Sequence, residues 1–155
     1  MKPNWKNLLI ALGIPLAVGG LSALISGGMS GYQGLVKPPL SPPGWVFPVA
    51  WTVLYLLMGY ASYRIAASGA DQAQIKKALT LYGIQLFLNF LWSPVYFGLE
   101  WRLVALFILL VLWVFVLLTM RAFTEIDEKA GDLLLPYILW LTFAAYLNLG
   151  TVLLN

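Results

Sequence analysis

Lys37-Pro38-Pro39-Leu40-Ser41-Pro42-Pro43-Gly44-Trp45-Val46-Phe47-Pro48, running directly into the apolar stretch Val49-Ala50-Trp51, decides how this chain is read. A residue that precedes proline is pushed out of the helical region, so Lys37, Pro38, Ser41 and Pro42 are expected to be extended. The segment is therefore a stiff strap and not a helix. Pro43, whose fixed φ suits a first helical turn, is expected to open a helix carrying Trp45, Trp51 and Tyr55. Pro48 cannot donate to the carbonyl of Gly44, which predicts a bend near the mouth of that helix.

The medium around the strap follows from composition. Of 155 residues, 61% are hydrophobic, 15% aromatic and only 10% charged, far more apolar than a water-soluble domain. The chain has no Cys and no His, which excludes thiolate chemistry, disulfides, imidazole metal or haem ligation and His acid/base catalysis. No metal site and no resident cofactor are expected. The net charge of +3 is spread over short connections, so it reads as membrane orientation and not as a nucleic-acid surface.

Five uncharged runs flank the strap, at 8–25, 45–63, 78–99, 103–120 and 133–154. At about 1.5 Å per residue these cross a hydrocarbon core of about 30 Å, the shorter ones with the help of flanking Trp and Tyr at the interface. Lys2 and Lys6 before the first run resemble a signal peptide, but the run is longer than an h-region and has no small-x-small cleavage site, so it is read as a membrane span. The expected fold is all-α, an integral membrane bundle of five transmembrane helices forming a single domain over 1–155. Only the loop 26–44 is long enough to hold structure of its own, which makes it the candidate lid. Gly27, Gly28, Gly31 and Gly34 predict a flexible connection there around Tyr32, with few apolar contacts. Lys2, Lys6, Arg64, Lys76, Lys77, Arg121 and Lys129 fall on the side of the N-terminus, against Lys37 and Arg102 on the other. That asymmetry predicts an N-terminus inside and a strap outside, and a bacterial cell membrane is the expected location.

Polar and small residues inside the runs mark faces. Gly19, Ala23 and Gly27 at four-residue spacing form a small-xxx-small stripe, better suited to packing within the chain than to a dimer interface. Pro15 frees the carbonyl of Ala11, and a kink tolerated by neighbouring helices is expected. Gln85, Asn89 and Ser93 recur at spacing four beside Trp92, a stripe that must point into the bundle and serve either interhelical hydrogen bonds or a ligand. Tyr137, Trp140, Ala144, Leu147 and Asn148 form an aromatic stripe in which small Ala144 leaves a gap. Such a stripe is either plain core or a slot for a flat ligand.

Three motifs together resemble one family. Lys37-Pro38-x-x-x-Pro42-Pro43-x-Trp45-Val46-Phe47-Pro48-x-x-Trp51-x-x-Leu54-Tyr55, then Asn89-x-x-Trp92-x-Pro94-x-x-Phe97-Gly98, then Pro136-Tyr137-x-x-Trp140-x-x-Phe143-Ala144-x-x-Leu147-Asn148 resemble the tryptophan-rich sensory protein family, also called translocator protein or peripheral-type benzodiazepine receptor. Order and spacing over nearly the whole chain make the match specific. The resemblance implies a five-helix bundle, usually a homodimer, whose first loop closes a cavity for porphyrins and, in some members, cholesterol or isoquinoline and benzodiazepine drugs. By motif position the ligand-binding residues would be Tyr32, Trp51, Tyr55, Asn89, Trp92, Ser93, Trp140, Ala144 and Leu147.

The sequence departs from the family in two places. Many bacterial relatives carry Trp where this chain has Leu40, and some a second where it has Pro39. The cholesterol-recognition segment of animal members would follow Asn148, where this chain has neither Tyr nor a basic residue; Leu56-x-x-x-Tyr60-x-x-x-Arg64 fits the loose pattern elsewhere. Three functions follow as expectations: a membrane receptor or transporter for porphyrins and other flat hydrophobic molecules, a light- and oxygen-dependent porphyrin-degrading enzyme using Trp51 and Trp140, or a membrane scaffold without a ligand of its own. Partners are then a flat small molecule, the lipid bilayer and a second copy, with no nucleic acid.

Overall fold

The computed structural model describes residues 4–27 and 30–155; Lys2 of the charge count and Gly28 of the glycine cluster lie outside them. Helix α1 is Trp5–Ser26, α2 is the short Ser30–Gln33, α3 is Val46–Ala66 and α4 is Gln72–Ser93, which runs on through a wide π-type turn, Pro94–Gly98. Then come α5, Arg102–Ile126, the single-turn α6, Glu128–Asp132, and α7, Leu135–Leu154. Counting α4 with its π-turn and α6 with α7, five helices are long and apolar enough to cross a membrane.

The distribution of side chains is that of a protein in lipid. Large apolar residues such as Leu9, Ile10, Leu24, Phe87, Phe107 and Leu139 face outward. Gln85, Asn89, Thr119, Asn148 and Thr151 are buried. With no water in the hydrocarbon core, polar groups must find partners inside the bundle.

Several helix boundaries differ from the apolar runs for identifiable reasons. Helix α4 begins six residues before the apolar run at 78 and α5 continues six beyond 120, because Lys76, Lys77, Arg121 and Glu125 reach water while their backbone stays helical. Pro43 does not start α3. It lies in a preceding turn whose carbonyl accepts from Val46 N at 3.1 Å. Pro48 is then the third residue of α3, where the backbone N–H would have no intrahelical partner, so the expected bend has no cause. The strap is not uniformly extended either: Leu40 sits at φ 70° in a turn closed by a 2.7 Å bond from Ser41 Oγ to Pro38 O.

The helices form a ring. Helix α1 packs on α3 and α4, α4 on α5, and α5 on α7. Across the remaining side, α3 and α7 meet through aromatic side chains, Phe47 and Trp51 against Trp140 at 5.9 and 6.3 Å between ring centroids. Glycines set the closest approaches. Gly19 lies against the Tyr55 ring, and Gly27, φ 77°, ends α1 in a left-handed cap, so the small-residue stripe divides into a packing contact and a cap. Pro15 removes the partner of the Ala11 carbonyl. That oxygen points at Gly59 of α3, where a Cβ would stand 2.6 Å from it.

Bonds at each end fix the relative ends of the helices. At one end the strap meets the C-terminal residue: Val36 N donates to Asn155 Oδ1 at 3.1 Å and Asn155 Nδ2 to Val36 O at 2.8 Å. At the other, Asn4 N donates to Tyr63 Oη at 2.9 Å and Arg64 Nε to Asp127 Oδ2 at 2.8 Å.

Two measurements check this packing. Gly59→Leu is expected to separate α1 from α3 and cost about 1–3 kcal/mol by overpacking, read as thermal unfolding in detergent. The Arg64 guanidinium beside Asp127 holds its carboxyl below the usual carboxylate range. Because the folded value is depressed, the stabilisation is present at neutral pH and is lost as pH falls through that value. Asp127→Asn is expected to cost less than about 1 kcal/mol at pH 7, with the difference from the parent shrinking as pH falls below the usual carboxylate range.

Candidate ligand cavity

Between α1, α3 and α4, under the strap, lies a cavity of about 400 Å³, within the range of small-molecule sites. Its wall from α3 is Phe47, Pro48, Trp51, Thr52 and Tyr55; from α4 and its π-turn come Asn89, Trp92, Ser93 and Phe97. Trp51 stacks on Tyr55, 5.7 Å apart and 24° from parallel, and tilts against Trp92 at 6.3 Å. These rings make an apolar face suited to a flat molecule.

The floor is a buried polar chain. Tyr55 Oη donates to Asn89 Oδ1 at 2.8 Å, Asn89 Nδ2 to Tyr137 Oη at 2.6 Å, and Tyr137 Oη to Gln85 Oε1 at 2.7 Å. A carboxamide has two N–H donors and two acceptor positions. Asn89 therefore keeps one of each unused among the described residues, in a side chain that lines the cavity. The chain explains the spacing of Gln85 and Asn89: one helical turn apart, they grip the same phenol from α7.

A second polar line seals the seam between α1 and α4. Pro94 cannot donate to the carbonyl of Phe90, and Ser22 Oγ of α1 donates to that oxygen instead, at 2.9 Å. Ser26 Oγ donates to Ser22 O at 2.6 Å and lies 2.9 Å from Ser93 Oγ. Trp92 is held from behind, its Nε1 donating to Asn148 Oδ1 at 3.1 Å while Asn148 Nδ2 donates to Arg102 O at 2.8 Å.

Of the residues singled out from the sequence, Trp51, Tyr55, Asn89, Trp92 and Ser93 come together on this cavity. Tyr32, Trp140, Ala144 and Leu147 do not line it. Tyr32, 2% exposed, closes the strap end: its ring packs edge-on against Phe47 and Phe97 at 5.1 and 6.2 Å, and its hydroxyl donates to Pro42 O at 2.8 Å. Trp140 lies behind Trp51, with its Nε1 buried and without a partner among the described residues. Ala144 and Leu147 are buried in the core. The Trp51 ring is thus the partition between the cavity and the α7 stripe. The sequence reading missed α1, which supplies Leu16, Gly19, Gly20, Ser22, Ala23 and Ser26. Two serines at four-residue spacing in an apolar span were the available signal.

Residues 11–154 match the TspO/MBR family. This chain belongs to that family. It is 37% identical to the tryptophan-rich protein TspO of Chlorobaculum tepidum, covering 100% of this chain and 99% of that one. It is 43% identical to the tryptophan-rich sensory protein of Cereibacter sphaeroides over 100% and 95% of the two chains, and 36% identical to the translocator protein of Sus scrofa over 96% and 89%. As a TspO/MBR protein with five apolar spans, it is an integral, multi-pass membrane protein.

Among the described residues, the polar side chains lining the cavity are an amide, a phenol, hydroxyls and indoles, with no carboxylate, amine or guanidinium among them. Asn89→Leu strands the Tyr55 hydroxyl and the lone pairs of Tyr137 that faced it, and is expected to destabilise the bundle by about 1–3 kcal/mol. Ser93→Ala should cost less, since Ser26 retains its bond to Ser22 O. Thermal unfolding of both variants in detergent checks the order.

Proposed function

We propose that this TspO/MBR protein is a membrane receptor or transporter-like protein that binds porphyrins and other flat hydrophobic molecules in the cavity of α1, α3 and α4. One observation carries the reading: an aromatic wall of Trp51, Tyr55 and Trp92 stands beside one buried carboxamide, Asn89, with an unused donor and acceptor. A tetrapyrrole has a flat apolar body, ring nitrogens for such an amide and carboxylates for cations at the mouth. Lys37 lies next to the closing Tyr32, its Nζ 4.8 Å from the ring centroid and 3.3 Å from the carbonyls of Gln33 and Leu35. Exchanging those two neutral acceptors for a carboxylate is favourable. Arg102, packed on Tyr96 at 5.3 Å, is the other cation at this end.

A second reading has its own support. Trp51 on the cavity touches Trp140 at 6.3 Å, so an oxidising equivalent formed at a photoexcited porphyrin could pass between the two indoles. Light and oxygen would have to supply the chemistry, since the cavity holds no acid, base or thiolate. The charge asymmetry supports an N-terminus inside and a strap outside in a bacterial cell membrane, and the family resemblance supports a homodimer.

Titration of the purified protein with protoporphyrin IX, followed by tryptophan quenching, is expected to saturate near one ligand per chain. Trp92→Ala is expected to weaken binding by about 1 kcal/mol, roughly fivefold. A linear, non-saturating titration identical in both proteins would mean a scaffold. Under illumination the receptor reading expects loss of the Soret band at equal rates for the parent, Trp51→Phe and Trp140→Phe; loss that depends on protein and disappears in either variant identifies the enzyme.

A further inference from the structure

Among the described residues, named contacts bound the cavity on several sides. Tyr32, Phe47 and Phe97 close the strap end with their rings. The α1/α4 seam is closed by Ser22 on the Phe90 carbonyl and Ser26 on Ser93. Below, α1 and α3 touch at Gly19 against Tyr55 and at Ala11 against Gly59. Above Gly19, a Cβ on Gly20 would meet nothing within 4 Å. There the lining residues Gly20 and Ala23 of α1, and Pro48 and Thr52 of α3, are exposed, whereas Asn89, Trp92 and Phe97 on the α4 side are buried.

From this we propose that the cavity is entered sideways from the bilayer, through a portal between α1 and α3 framed by Gly20, Ala23, Pro48 and Thr52, and not from water past the strap. The inference rests on the receptor reading and narrows its ligand class. Gly20 to Ser26 covers about 9 Å along α1, and α1 ends at Ser26, so the portal occupies the strap-side leaflet just beneath the headgroups. An amphiphile whose flat apolar body lies among the acyl chains, with its carboxylates held at the headgroup level, meets the portal in register. Sliding inward brings the ring onto Trp51 and Tyr55 without the carboxylates ever leaving the interface. Small residues on one side and Pro48 and Thr52 on the other leave the opening free of bulky side chains. The strap can remain shut throughout.

The test separates the two routes kinetically, with the full chain in phosphatidylcholine nanodiscs and protoporphyrin IX as the probe. Ala23→Trp and Thr52→Trp each place an indole in the portal at a lipid-facing position. Both the association and dissociation rates are expected to fall tenfold or more, whereas damage to the site itself would raise the dissociation rate. The chain has no cysteine of its own, so Val36→Cys with Asn155→Cys, at positions already joined by two hydrogen bonds, can lock the strap to α7 by oxidation. Oxidised and reduced forms are expected to bind at rates within twofold of each other. An association rate that collapses on oxidation while both tryptophan variants bind like the parent overturns the portal and assigns entry to the strap. Unchanged rates in all variants of a parent that does bind overturn the portal alone. A parent without saturable binding overturns the receptor reading itself.

Discussion

The constraint on which this structure turns is that a backbone carbonyl in lipid must find its partner within the protein. Two prolines inside membrane spans each release one. Pro94 frees the oxygen of Phe90, and the hydroxyl of Ser22 takes it; Pro15 frees the oxygen of Ala11, which is covered by α3 at Gly59, where a Cβ would stand 2.6 Å from it. Both solutions involve α1, the helix with the smallest buried share of the five. Apolar burial cannot hold such a helix in place, since lipid tails are as apolar as a neighbouring helix. A small number of polar and backbone contacts hold it, and they decide where it touches and where it stands away. The cavity is the space left where it stands away.

The polar chain from Tyr55 through Asn89 and Tyr137 to Gln85 does for α3, α4 and α7 what those contacts do for α1. Removing one member leaves the others unsatisfied in a medium that offers no replacement, so the chain fixes helix rotation as well as proximity. Rotation matters because the same three helices carry the aromatic rings. With Asn89 aimed between Tyr55 and Tyr137, Trp92 one turn's reach away is turned toward both Trp51 and Asn148. The cavity wall and the structural core therefore share one network, in which Asn89 keeps a donor and an acceptor unused among the described residues.

Much of this was legible in the sequence, and what was not has physical causes. Five apolar runs gave five spans, because only a helix can satisfy its own backbone in a bilayer. Their ends were misplaced where Lys, Arg and Glu side chains reach water from a backbone that remains helical. Gln85, Asn89 and Ser93 could be placed on an inward face by their spacing, but spacing does not say that Asn89 and Gln85 share a partner while Ser93 pairs with Ser26. Pro48 was misread because a proline's effect depends on its distance from the helix start, which moved from Pro43 to Val46. The aromatic stripe of α7 could be read as core or as a slot for a flat molecule; Trp51 stands between Tyr55 and Trp140, and no one-dimensional pattern reports which way an indole lies.

The strap takes its place in this division through its own contacts. Val36 is tied to Asn155, the carbonyl of Pro39 accepts from Tyr146 Oη at 2.6 Å, and Pro38 packs on Gly150, all on α7 or the residue that follows it. Tyr32 is held among Phe47, Phe97 and the Pro42 carbonyl. These residues are far better packed than a glycine-rich connection with few apolar contacts would be, and none of these anchors is a side chain of α1. Closure of the cavity's end thus belongs to the α3–α7 side of the bundle, while its lateral wall belongs to α1, which reaches the rest through a few discrete contacts. Two parts of one site that are fastened to different helices can move separately. On the proposed receptor reading, a guest would be admitted on the α1 side while the strap and the Asn89 network keep their geometry.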